Sequence, residues 1–149
     1  MADLTISGVG EITTTSGSVL ATTTAQGIAG ASITPGQVLY ADPTNNNFLL
    51  PAKASDVLQV SHIVGIALNT AAANQPVTYA TAGDITLSNA NGVTSGTVYV
   101  VSNTTGGGFI APVTDAPPNV AVLGVGNGGT TSGGTNNFRI GLIPTAVAH

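Results

Sequence analysis

"ITPGQVLYADPTNNNFLLP" (33–51) and "VTSGTVYVVSNTTGGGFIAP" (93–112) state one pattern twice in a single chain. Ile33-Thr34, Gly36, Val38, Phe48 and Pro51 correspond to Val93-Thr94, Gly96, Val98, Phe109 and Pro112, with one residue inserted in the second copy. Between the apolar runs stand "TNNN" and "TTGGG", compositions that suit a turn needing positive φ. Each copy therefore reads as a β-hairpin: a Gly-led strand, a tight polar turn and a second strand opening on Phe. "HIVGIAL" after the first hairpin is echoed by "AVLGVG" after the second, so Gly65 matches Gly124 and each hairpin is followed by a third strand.

Two units cannot make a solenoid, which needs about three repeats to bury a continuous core. They must pack on each other. The expected fold is all-β: a small β-sandwich or barrel built from two similar three-stranded units, with an extended N-terminal arm. The β-domain spans 33–149, with its repeat at 33–68 and 93–126. "TVYVVS" is apolar on both faces, as a strand between layers should be, and "VTYATA" alternates, with Val77, Tyr79 and Thr81 on one face. The one helix-tolerant piece, "KASDVLQV", reads as a single turn entering a strand. Residues 1–32 are Thr-rich, Gly-punctuated and weakly alternating, and read as an N-terminal arm or as edge strands.

The 149 residues fit one compact domain, or one domain plus an arm. Only 5% of them are Asp, Glu, Lys or Arg, against about 25% in ordinary soluble domains. The surface must therefore be built from Thr, Ser, Asn and Gly. Lys53 and Arg139 are the only basic residues, too few for the footprint that displaces counterions from phosphate, so nucleic acid is not an expected partner. A mean hydropathy of +0.38 with so little charge leaves little self-repulsion, which points to a surface covered in an assembly. Without cysteine there is no disulfide framework and no thiolate metal site. The N-terminus lacks the basic and apolar regions of a secretory signal, and the longest apolar runs fall short of a helical membrane span, so no membrane partner is expected.

Motifs for chemistry are sparse. Gly124-x-Gly126-x-x-Gly129 follows a strand, as a dinucleotide fingerprint does, but a Gly/Thr/Ser loop replaces the required helix and no acid occurs after Asp115. His62, the only internal histidine, would share a strand face with Val60, Val64, Ile66 and Leu68, as a packed or hydrogen-bonded core-edge residue. Neither a nucleophile-elbow pattern nor a metal-ligand cluster accompanies it. Asp42 with Asn45 to Asn47 lacks the spaced carboxylates of a Ca²⁺ loop. Asp84, after Gly83, reads as a hairpin corner whose carboxylate bonds nearby amides. Asn103-Thr104-Thr105 matches a glycosylation sequon only formally. The expectation is a protein that is not an enzyme and uses no cofactor or metal.

Val64-Gly65-Ile66-Ala67, Ala71 to Ala73, Pro76-Val77-Thr78-Tyr79, Gly83 and Gly96-Thr97-Val98-Tyr99, with the later "VLGVG" and "FRIGL", follow one another in a characteristic order. Over Ile33 to Leu142 this order resembles the small capsid decoration, or cement, proteins of tailed bacteriophages. The Thr-rich first thirty residues and the Gly-rich stretch 126–137 depart from that pattern. The resemblance implies a structural virion protein, synthesised in the host cytoplasm and sited on the outer capsid surface. It implies a homo-trimer that clamps neighbouring copies of the major capsid protein. In that setting the N-terminal arm would add a strand to a neighbour or lie along the capsid, with Leu4, Ile6, Val9 and Ile12 as its contacts. The rival readings are a carbohydrate-binding or adhesive β-domain on a phage or cell surface, and a subunit that builds a shell or tail lattice itself. The first is disfavoured by the lack of Trp and the presence of only three Tyr, the second by the lack of a long helix.

Overall fold

The computed structural model describes residues 12–14, 22–88, 95–102, 110–112, 119–128 and 135–148. They form ten strands: β1 (Ile12–Thr14), β2 (Thr23–Ile28), β3 (Val38–Asp42), β4 (Phe48–Pro51), β5 (Ile63–Ala67), β6 (Pro76–Ser88), β7 (Val98–Val101), β8 (Ile110–Pro112), β9 (Asn119–Gly128) and β10 (Thr135–Ala148). One short helix, α1 (Val57–Ser61), separates β4 from β5. The fold is all-β, a single antiparallel sheet curled into a half-barrel.

The sequence repeat is a structural repeat, residue for residue. Val38, Leu39 and Tyr40 face Ile66, Gly65 and Ile63 across β3–β5, and Val98, Tyr99 and Val100 face Val125, Gly124 and Val122 across β7–β9. Both ladders slip at the same step, after the Gly partner. Leu39 pairs with Pro51 and Tyr99 with Pro112, which carries the one-residue insertion into the hairpins. Gly36 and Gly96, at φ of 90° and 83°, each donate a backbone N–H across to the third strand, to Ala67 and Gly126 respectively. A side chain disfavours that backbone region, which is why Gly opens both strands. In the first hairpin Asn46 and Asn47 adopt positive φ, as the "TNNN" composition requires.

The repeat unit is larger than three strands. Ala80 pairs with Thr24 of β2 and Ile66 of β5, and Ala82 pairs with Thr23 of β2 and Gly141 of β10. A strand residue has one neighbour per edge, so β5 and β10 share one edge of β6, and β2 lies along the other. Strand β6 therefore closes the first half and opens the second. The Thr24–Ala80 pair of the first half corresponds to the Asp84–Arg139 pair of the second, again at a spacing of about sixty residues. The change of role falls at a register shift and at Gly83, whose φ is 90°. Such a bulge bends a strand and reverses which face its side chains take. Asp84, expected at a hairpin corner, thus sits inside a strand of 13 residues. The Gly there makes a bend within the strand and not a turn.

Face reversal explains why the halves use their common pattern differently. In the first, Leu39, Leu49, Ala67 and Val77 gather with Ala29, Ile33 and Ala71 into one cluster, with Tyr79 against it. A parallel bridge from Ala29 to Leu49 brings the end of β2 back to β4 and folds this half on itself. The corresponding Tyr99 and Phe138 of the second half belong to the other, larger cluster. That cluster also takes Val38, Tyr40, Ile63, Ile66 and Ala80 from the first half, so it joins the two. Tyr99 and Phe138 meet edge to face with centroids 5.7 Å apart, a geometry that adds about 0.5–1.5 kcal/mol to their burial.

Helix α1 reinforces that junction. Asp56 caps it by accepting from the Leu58 amide, Gln59 reaches back to the Lys53 amide, and Val60 is fully buried in the shared core. The Ala54 amide donates to Ser102 O, and Asn119 donates its side-chain amide to Ala54 O, tying the connection to the second half. Of residues 1–32, most of the described ones belong to strands on the sheet: β1 lies along Ile85 to Leu87 and β2 along Pro76 to Ala82.

Candidate functional site

No group of three or more His, Cys, Asp or Glu could hold a metal ion among the described residues. His62 lies outside strand β5, on the residue that ends α1, and is exposed. Its ring Nδ1 is 2.8 Å from Leu58 O and 3.1 Å from Ser61 Oγ. The strand-face placement with Val60, Val64, Ile66 and Leu68 is therefore corrected: the helix runs to Ser61, and Val60 reaches the core from the helix.

Asp42 is engaged in holding its own turn. Its Oδ1 accepts from the Thr44 amide at 2.9 Å and the Thr44 hydroxyl at 2.6 Å, while its carbonyl accepts from the amides of Asn45 and Asn47. These hydrogen bonds from Thr44, led by the hydroxyl, hold the carboxyl below the usual range. Burial, followed by the charges of Asp42 and Asp56, pushes the nearby Tyr40 phenol up. Gly124 and Gly126 lie within β9, with Gly126 paired to Phe138, so they serve a ladder and do not open a helix.

The one ion pair among the described side chains was not legible in the sequence. Arg139 Nε donates to Asp84 Oδ1 at 2.7 Å and its Nη2 to Oδ2 at 3.0 Å, a two-pronged contact between facing residues of β10 and β6. Asp84 is 2% exposed, whereas the Arg139 side chain is 43% exposed. The hydrogen bond and charge of Asp84 push the guanidinium further up, so it stays charged.

Around this pair lies the outer face of the second half. Val98, Val125, Arg139 and Asp84 are successive cross-strand partners, and Val100, Val122 and Ile143 form the adjoining row. Val98 and Ile143 are exposed, Val122 and Val125 partly buried, and Val100 fully buried. A solvated face of an antiparallel sheet is normally polar. This one is valine and isoleucine around a single neutralised pair. Ile28, Val57 and Leu58 are exposed elsewhere.

Of the sequence-derived contact residues, Leu4, Ile6 and Val9 lie outside the described residues, as does the Asn103 sequon. Ile12 stands in β1, its backbone opposite Leu87. No helix among the described residues is long and apolar enough to cross a membrane. No protein-family model matches the chain, and no curated protein matches it significantly.

Proposed function

We propose that the chain is a capsid decoration protein, an oligomer, on this reading a trimer, that binds the outer surface of a phage head and stabilises contacts between major capsid subunits. The observation that carries this reading is the apolar, nearly uncharged outer sheet face centred on Val98, Val122 and Val125, on a chain with only two basic residues. Such a surface suits close contacts with other β-rich, uncharged surfaces. The strands Val64–Ala67, Pro76–Tyr79 and Val98–Tyr99, which carry the family resemblance, form or adjoin the paired ladders of both halves. Each subunit need contribute only about 800 Å² to a standard interface, because several subunits bound to one lattice gain from effective concentration.

The test is co-sedimentation of the purified chain with expanded heads assembled from its cognate major capsid protein. Saturable, stoichiometric occupancy supports the reading. A chain that stays in the supernatant at every concentration, particularly one that binds saturably on a glycan array, overturns it in favour of an adhesive domain.

A further inference from the structure

The two halves have a corresponding strand edge, and among the described residues only one of these edges carries an added strand. In the second half Ile85, Thr86 and Leu87 of β6 pair with β10 on one side and with Thr14, Thr13 and Ile12 of β1 on the other. By the same register their equivalents in the first half are Ala25, Gln26 and Gly27 of β2. Among the described residues β2 pairs with β6 alone, apart from the bridge from Ala29 just beyond its end. Its other edge presents backbone groups. Thr78 turns its N–H to Asn69 Oδ1 and its carbonyl to the Leu68 amide, both on the side away from β2. Facing residues of an antiparallel pair exchange either both hydrogen bonds or neither, so Gln26, the partner of Thr78, directs its own N–H and carbonyl outward. Strand β2 has neither charge nor proline, the usual guards of an exposed edge.

The N-terminal sequence holds a second segment of the kind that fills the other edge. Asp3-Leu4-Thr5-Ile6-Ser7-Gly8 and Glu11-Ile12-Thr13-Thr14-Thr15-Ser16-Gly17 share one order, an acid, an aliphatic residue, Thr and then Ser-Gly, with one residue inserted in the latter. The latter contains β1, and the former lies outside the described residues. We propose that residues 4–6 of one copy add as an antiparallel strand to residues 25–27 of a second copy, with Thr5 opposite Gln26 as Thr13 is opposite Thr86. The segment does not reach β2 of its own chain. Ile12 stands at the level of Leu87 and Gln26 at that of Thr78, about 30 Å apart along β6, whereas the links from Thr5 to Ile12 extend at most about 25 Å. The contact runs head to tail, from the N-terminal segment of one copy to β2 of the next, and closes into a ring when its rotation divides a full turn. This inference rests on the oligomeric part of the function proposed above and not on the capsid.

Proline substitution on both sides of the contact tests it in the full chain, because proline removes the N–H that an added strand needs and is tolerated on an edge. The variants are Gln26→Pro on the acceptor and Thr5→Pro on the donor. Gln26→Ala is the control: it keeps the N–H and loses only the side-chain bond to Thr78. Light scattering over a wide concentration range should give an oligomer for wild type and control, and a mass near the 14.5 kDa chain for each proline variant alone. Mixing the two proline variants should restore a complex of one copy of each, since one keeps the donor and the other the acceptor. A mixture that stays monomeric contradicts the contact. Proline variants that associate like wild type overturn the strand contact and leave the oligomer standing. A wild-type chain that is monomeric throughout overturns both, while head binding, read by sedimentation, remains a distinct result. Protection of the Gln26 amide from hydrogen exchange in such a monomer would place the segment on its own β2. Should Gln26→Pro fail to fold, Thr5→Pro carries the test alone: a monomer supports the contact, and association equal to wild type overturns it.

Discussion

Gly65 and Gly124 hold the same point in the two halves of the chain: a Cβ on Gly65 would overlap the carbonyl oxygen of Ala80 and crowd Tyr79, and one on Gly124 would overlap the carbonyl oxygen of Arg139 and crowd Phe138. Each glycine lets one strand pass close to the backbone of the next and leaves room for an aromatic ring. The requirement is steric and local, so it recurs wherever the repeat places the same crossing.

Replacing either glycine by alanine should cost about 2–3 kcal/mol, since backbone cannot move aside as a flexible side chain does. Gly141→Ala, where a Cβ meets nothing within 4 Å, should be near neutral. Urea unfolding of the three variants reads the difference. Equal stabilities would show that the close approaches are not constraining.

Arg139→Ala removes the guanidinium from a carboxylate that is 2% exposed. The carboxylate is left buried without this partner, so the variant should be less stable than wild type, by less than the loss of a fully buried pair because the guanidinium is largely solvated. Adding Asp84→Asn should restore part of the loss, because no charge then remains buried. A double variant less stable than Arg139→Ala alone would contradict this reading of the pair.

The Asp42 carboxyl sits below its ordinary value of 3.8 in the folded chain. A lowered folded value means that its contribution is fully present above the unfolded value and is lost as pH falls through the folded one. Stability should therefore drop on strong acidification. Thermal melts between neutral and strongly acidic pH should show a shallower acid limb in Asp42→Asn than in wild type. Superimposable limbs would assign the turn no such role.

Truncation separates two roles of the N-terminal segment. Deleting residues 2–11 removes Leu4, Ile6 and Val9 but keeps β1, whereas deleting 2–14 also removes the strand along Ile85 to Leu87. If the segment contacts the capsid, the shorter deletion should lower head occupancy without changing the melting temperature. The longer one should lower both. Full occupancy by the 2–11 deletion would remove Leu4, Ile6 and Val9 from the contact.

The hairpins and third strands were legible because their signals are local: a Gly at the strand entry, apolar alternation, and a turn rich in Asn or Gly. Their extension into larger repeat units was not, because β2 and the second part of β6 are matched by backbone pairing alone. Thr24 and Asp84, or Ala25 and Ile85, share no chemistry. The Asp84–Arg139 contact spans 55 residues, and Gly83-Asp84 looks like a turn from its neighbours alone. His62 was misplaced for a related reason. A helical turn capped by Asp56 ends just before it, and alternation read through that turn assigns the wrong face. Val98 and Ile143, exposed in the second half, resemble core residues in sequence, whereas Val38 at the position of Val98 is fully buried.

The most direct measurement is the release of packaged DNA on heating, followed with a fluorescent dye, for cognate heads lacking the chain and for the same heads saturated with it. The expected result is a release midpoint that rises as occupancy rises and reaches a plateau at saturation. Identical release curves for bare and saturated heads would contradict a stabilising role on the capsid.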